Sequence, residues 1–228
     1  NEGNLAYTNS SNTESNTKDF EGYAQVQLVG SINPDFSWFN AANHEFYLDD
    51  AADLLGLSYL TRYYEAYKNT YGFTSAASVT KGNTFYLTSD IDLNPGWKVG
   101  ESGTNLTTFY GIATMYGIFD GQGHTVSGLY NNGTMPDLIT SDYGFIGSLH
   151  SGGKVCNLIL KNGYLKSDST SGLGSVVGCM KGGSCTIENV YSDVTVDGTA
   201  KNGNIVGGLV GGTWATGLAN PLTIKQAV

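Results

Sequence analysis

One unit recurs along the second half of this chain, and it limits the possible folds more than any other feature. The run Tyr143-Gly144-Phe145-Ile146-Gly147 is followed by Gly152-Gly153 and then by Val155-Cys156-Asn157-Leu158. Gly174-Ser175-Val176-Val177-Gly178 is followed by Gly182-Gly183 and then by Ile187-Glu188-Asn189-Val190. Val206-Gly207-Gly208-Leu209-Val210-Gly211 opens a third copy, and Phe119-Asp120-Gly121-Gln122-Gly123-His124 begins a weaker, earlier one. Gly147, Gly178 and Gly211 are 31 and 33 residues apart, and Asn157 and Asn189 are 32 apart. A period in this range marks a stacked array, because one copy carries too few apolar residues to make its own core.

Each copy holds two or three strand-length runs rich in β-branched and aromatic residues, with no helical pattern between them. That excludes helical and leucine-rich solenoids and disfavours crossover α/β folds. The expected fold is all-β: a right-handed parallel β-helix whose strands pair with the rungs above and below. Within it the recurrent asparagines have a physical role. Asn tolerates left-handed backbone at a corner, and its amide can bond the equivalent Asn of the next rung. The recurrent glycines allow sharp corners where a Cβ would clash.

The N-terminal part differs. Residues 1–19 are polar and rich in Asn, Ser and Thr, so they are expected to form a linker arm. A strand is expected within 20–32 (YAQVQLV). Over 49–68 the spacing predicts a single helix, with Leu54, Leu57, Leu60, Tyr64 and Tyr67 on one stripe and Leu55, Tyr59 and Tyr63 beside it. Asp49 or Asp50 caps its start, and Gly56 inside it implies a close approach of other backbone. An apolar face this wide calls for burial, so the helix is expected to cover the first rung as an N-terminal cap. After Tyr71 no further helix is expected. The reading is therefore 1–19 linker, 20–74 capping segment with one helix, and 75–228 parallel β-helix.

The Gly-Phe-Ile-Gly…Gly-Gly…Val-x-Asn-Leu pattern resembles the GLUG repeat of bacterial surface proteins. The order Glu45-Phe46-Tyr47-Leu48, helix, Phe85-Tyr86-Leu87, Asp90-Ile91-Asp92-Leu93, Phe119-Asp120-Gly121-Gln122-Gly123-His124 looks like the capping segment and first rungs of such proteins. The resemblance covers about residues 36–212. It implies a secreted or cell-surface, adhesin-type module that is not an enzyme. Two departures stand out: Ser175 where the other copies carry Gly144 and Gly208, and Thr213-Trp214-Ala215-Thr216 in place of the Gly-Gly corner.

Composition narrows the partners. Net charge is −9 and Arg62 is the only arginine, so nucleic acid and anionic membrane surfaces are poor partners. No apolar run reaches the roughly 20 residues that span a bilayer. Cys156, Cys179 and Cys185 are too few for a disulfide framework and are expected as small core residues. The closing run Leu222-Thr223-Ile224-Lys225-Gln226-Ala227-Val228 lacks a capping signal, which leads to the expectation of more rungs or domains downstream. A host or cell-surface glycan or protein is the expected class of partner.

Several stretches imitate catalytic motifs. His44-Glu45 opens a zinc-peptidase pattern, but its second His would fall at Leu48. Gly172-Leu173-Gly174-Ser175-Val176-Val177-Gly178 has the look of a dinucleotide loop, yet its last Gly is one residue late and no helix follows. Asp120 and His124 imitate a carbohydrate-cleaving site, although no adjacent-rung acid is evident to pair with Asp120. Asp90 and Asp92 share one strand face and are candidate Ca²⁺ ligands. His150 is expected to be exposed in a Ser/Gly loop and His124 to pack beside a turn. Trp38, Trp97 and Trp214 are core or cap residues, or sugar-stacking residues if exposed. No catalytic, cofactor-binding or metal-binding residue is assigned, and no cofactor is expected. The competing readings are a carbohydrate-active β-helix enzyme (lyase or hydrolase) and a glycan-binding module.

Overall fold

In the computed structural model, residues 32–103, 105–133, 142–167, 172–199, 205–214 and 222–228 are described. The expected linker arm and the strand within 20–32 lie outside them, Ile32 excepted.

The alternation of inward apolar and outward polar residues produces two parallel sheets wound from successive rungs. The longer sheet contains β1 (Glu45–Leu48), β2 (Thr84–Leu87), β5 (Ile118–Asp120), β9 (Lys154–Ser167), β12 (Thr186–Asp197) and β15 (Thr223–Ala227), in that spatial order. Three short strands extend it: β3 (Ile91–Asp92) pairs with β6 (Thr125–Ser127), and β6 and β7 (Tyr130–Gly133) both pair with β9. The second sheet runs β4 (Ile112–Met115), β8 (Ile146–His150), β11 (Val177–Lys181), β14 (Val210–Trp214). A small pair, β10 (Gly172–Leu173) with β13 (Ile205–Val206), completes the strands. All of these strands pair in parallel. The result is a β-solenoid of about four turns.

Its interior is built in columns. Phe46, Phe85, Phe119, Val155 and Ile187 occupy equivalent inward positions and are all buried. Phe46 and Phe85 stack at 5.2 Å. On the second sheet Ile112, Ile146 and Val177 form the facing column. Burying such side chains contributes about 1.5–3 kcal/mol each, so the shared interior, not any single rung, holds the fold.

The corners behave as the repeat implies. Asn157 and Asn189 adopt left-handed backbone, with φ of 51° and 53°. The Asn189 amide donates to Asn157 Oδ1 at 2.9 Å, and the Asn157 amide donates to Asp120 Oδ1 at 3.0 Å. The ladder thus crosses three rungs. A Cβ on Gly178 would lie 2.3 Å from the Tyr143 nitrogen, so backbone proximity explains that glycine. Ser175 has its own account: Ser192 replaces the inward Leu160 of the preceding rung, and the two hydroxyls bond at 2.7 Å. The polar swap inside the core is matched by the polar swap in the repeat.

The helical expectation needs correction in two places. The predicted single helix is two: α1 (Ala51–Arg62) and α2 (Tyr64–Tyr71). Tyr63 leaves helical geometry (φ −114°, ψ 33°), and the new direction places Tyr67 beside Phe36 and Tyr71 beside Phe39. A third helix, α3 (Ala76–Thr80), follows where none was expected, started by a reciprocal Ser75–Ser78 capping box. Asp50 is the N-cap of α1, accepting from the Asp53 N–H at 3.0 Å. Gly56 is the expected close approach, since a Cβ there would lie 1.9 Å from the Asp35 carbonyl oxygen.

The helices lie against the outer edge of β4. Ser58 donates to the Gly111 carbonyl at 2.7 Å, and Thr61 Oγ1 accepts from the Ala113 N–H at 3.0 Å. Thr80 accepts from the Tyr116 N–H at 3.1 Å, and the buried Arg62 donates to the Tyr110 carbonyl. Above the longer sheet, Phe39 lies flat on Phe46 at 4.9 Å and is flanked by Tyr71 and Phe73.

Candidate functional site

The outer flank of the longer sheet carries exposed aromatic and carboxylate groups held in register. Pairing register places Tyr47, Tyr86, Asp120, Cys156, Glu188 and Lys225 in one outward column. A neighbouring column holds Glu45, Thr84, Ile118, Lys154, Thr186 and Thr223. Tyr47 is 57% exposed and its ring stacks on Tyr86 at 5.4 Å with 19° between planes. Tyr86 Oη donates to Glu45 Oε1 at 3.4 Å, and burial together with Glu45 raises that hydroxyl above its usual range.

The rung adjacent to Asp120 places Cys156 and no acid at the equivalent position; Glu188 shares the column two rungs away, a backbone separation of roughly 9.6 Å at the usual strand spacing. The signal was present, since aligning Phe119-Asp120 with Val155-Cys156 and Ile187-Glu188 puts all three in register. Both carboxylates are otherwise engaged, however. Lys154 Nζ sits 2.8 Å from Glu188 Oε2 and holds that carboxyl below its ordinary range, the opposite of a general acid. Asp120 Oδ1 accepts from the Gln122 N–H at 3.0 Å and from the Asn157 amide. Cys156 lies between them, buried, with its thiol pushed up to about 11, chiefly by burial and next by Asp120. A thiol so raised is a poor nucleophile.

The remaining candidates are scattered. Asp90 and Asp92 are both exposed, as expected for one face. Asp90 Oδ1 accepts from the Thr125 N–H at 2.9 Å and lies 3.2 Å from His124 Nδ1; these contacts, the amide first, lower its carboxyl. Asp92 Oδ1 accepts from the Asn94 N–H at 3.0 Å. His124 therefore sits beside a turn, and His44 Nδ1 lies 2.9 Å from Asn83 Oδ1. His150 departs from expectation. It ends β8 half-buried, stacked on Tyr116 at 4.1 Å, and burial followed by Lys181 pushes it down to about 4. Its loop position in the sequence hid that β8 runs up to it.

Trp97 is buried against Tyr130, Trp38 is half-buried against Phe46, and Trp214 is 64% exposed. The three cysteines are free and buried. Asp49, Asp50 and Asp53 cluster at the start of α1, where they serve the cap: Asp53 Oδ2 accepts from the Asp49 N–H at 3.0 Å. Among the described residues no helix is long and apolar enough to cross a membrane. The glycine run 172–178 forms β10 and enters β11, and among the described residues no helix follows it.

No known family profile matches the chain, and no solved structure matches it. Over 144 residues, 60% of its length, it is 33% identical to Halomucin of Haloquadratum walsbyi (strain DSM 16790 / HBSQ001). The chain spans about 1% of the length of that curated relative. What this establishes is a parallel β-solenoid with partial similarity to Halomucin.

Proposed function

We propose that this chain is a non-catalytic, structural module of a secreted or cell-surface protein, a rigid spacer that carries binding surfaces on its flanks. The observation that carries the reading is the use made of its polar groups. Asp120, Asn157, Asn189, Asp90, Asp53 and Glu188 are each engaged in holding a corner, a cap or a cross-rung pair. The finer form of the proposal is a right-handed coil with GLUG-type repeats and the helices as its N-terminal cap. Right-handedness is supported by the strong preference of parallel crossovers for that hand. The cap is supported by the Ser58, Thr61 and Thr80 contacts to β4 and by Phe39 over Phe46. An adhesin-type role on a bacterial surface follows from the repeat resemblance, and the mucin-like name of the relative fits an extracellular setting.

The enzyme alternative rests on Asp120 and Glu188 sharing a column. It is weakened by Lys154, whose ion pair favours ionised Glu188 over the protonated form that a general acid requires. The decisive experiment incubates the full chain with neutral and acidic polysaccharides from pH 4 to 9 and follows reducing ends and unsaturated products. No turnover is expected. Product formation that disappears in Asp120→Asn or Glu188→Gln would overturn the proposal.

A further inference from the structure

The two sheets end differently on the N-terminal side. The β4 edge is covered by helix side chains, whereas β1 is the last strand of its sheet among the described residues. The Thr84 N–H donates to the His44 carbonyl at 2.8 Å and the Thr88 N–H to the Leu48 carbonyl at 3.0 Å. Even-numbered carbonyls of β1 therefore face β2. By the alternation of a parallel ladder, the N–H and C=O groups of Glu45 and Tyr47 face away. These are the same two residues whose side chains stand on the outer flank.

The side chains around that edge select a partner. Tyr47 stacks on Tyr86 through one ring face only, and its other face continues the stack toward the open edge. From Asn40 to Asp50 the chain carries Glu45, Asp49 and Asp50, all exposed, and no Lys or Arg. A cation over a tyrosine face gains quadrupole attraction, and flanking carboxylates add to it. On the inward side, Phe39 already lies on Phe46. A strand added outside β1 must therefore carry small inward residues.

We propose that the outer edge of β1 accepts an extended basic peptide as an added strand. Its backbone bonds Glu45 and Tyr47, its arginine or lysine side chains lie on Tyr47 and against Glu45, and its alternate residues are small. This is strand addition to an exposed edge, with charge and ring stacking setting the preference. It deepens the surface-module reading by naming one presented surface, and it can fail while that reading stands.

The test uses the full chain and a fluorescein-labelled peptide of four Arg-Ala repeats. Its controls are the same peptide N-methylated at alternate amides, and a Glu-Ala counterpart. The arginine peptide is expected to bind. N-methylation is expected to weaken it at least tenfold, and the Glu-Ala peptide is expected not to bind. Tyr47→Ala and Glu45→Gln should each weaken binding about three- to tenfold with thermal midpoints unchanged, roughly 0.7–1.4 kcal/mol. Hydrogen exchange supplies a second readout: the Glu45 and Tyr47 amides should exchange quickly in the free chain and slow with peptide bound. Three outcomes overturn the proposal: no binding, N-methylated peptide binding equally well, or amides already slow in the free chain. The last would mean that another segment, such as residues 23–29 (YAQVQLV), holds the edge.

Discussion

Phe46 and Ile224 stand in the same inward column at opposite ends of the solenoid. Phe46 is 1% exposed and Ile224 is 51% exposed. The difference comes from what lies beyond each rung. Outside Phe46 the chain supplies Phe39, which is itself flanked by Tyr71 and Phe73. Outside Ile224 no described residue plays that part, and Ile205, Val206, Trp214 and Val228 are exposed on the same last rung. A solenoid interior is apolar along its whole length, so its ends must be covered or left wet. Among the described residues the Phe46 end has such cover and the Ile224 end has none, which makes the first rigidly specified and the second tolerant.

The largest test of that contrast compares one aromatic from each end. Phe39→Ala removes a buried ring on which Phe46 stacks and should lower unfolding free energy by about 3–5 kcal/mol. Trp214→Ala removes an exposed ring and should change it by no more than about 0.5 kcal/mol. Urea denaturation of both variants decides the matter. Equal losses would mean that Trp214 is covered and the two ends are alike.

How much of this was legible in the sequence depends on the kind of interaction. The repeat spacing carried the solenoid and the Asn157–Asn189 ladder, because both depend on residues separated by one rung. Gly56 announced its close approach because a mid-helix glycine needs a reason. The break at Tyr63 was not legible, since the apolar stripe runs unbroken from Leu54 to Tyr67 and the bend serves tertiary contacts with Phe36 and Phe39. α3 was missed because five residues are too few for a periodic signal. The Asp120–Glu188 column was readable in principle, but it needed an exact register across three copies, and 121–124 insert extra residues at that corner. Neither the burial of His150 nor the open face of Tyr47 follows from periodicity. Each depends on what a neighbouring rung or segment does.

A second, smaller effect tests the covered β4 edge. Thr61→Val keeps shape but removes the acceptor for the Ala113 N–H, leaving a buried donor without its bond. The expected loss is about 1–3 kcal/mol. It should appear with faster exchange at Ala113 while amides of β14, whose outer edge has no such cover among the described residues, are unchanged. Unchanged exchange at Ala113 would show that the hydroxyl does not hold that edge.

The smallest expected effect separates the ends by pH. Asp53 sits at the covered end, and its carboxyl is raised to about 6, first by burial and then by the charges of Asp50 and Asp49, against an opposing bond from the Asp49 N–H. Between the unfolded value near 3.8 and the folded value near 6, the folded chain holds more protons than the unfolded one. Stability contributed by this group is therefore present at low pH and falls as pH rises across that window. One lowered carboxyl acts in the other direction and in another window. Asp197, lowered to about 2 by the Tyr164 hydroxyl and then by Thr199, contributes above the unfolded value and loses its effect as pH drops toward 2. Asp53→Asn keeps an oxygen acceptor for the Asp49 N–H yet cannot titrate. Relative to wild type, its unfolding free energy should gain about 1–2 kcal/mol between pH 4 and 6.5, since each tenfold difference in proton affinity between folded and unfolded chain is worth roughly 1.4 kcal/mol before solvent screening reduces it. Parallel pH profiles for the two proteins would show that the start of α1 is as solvated as the open rung at the far end.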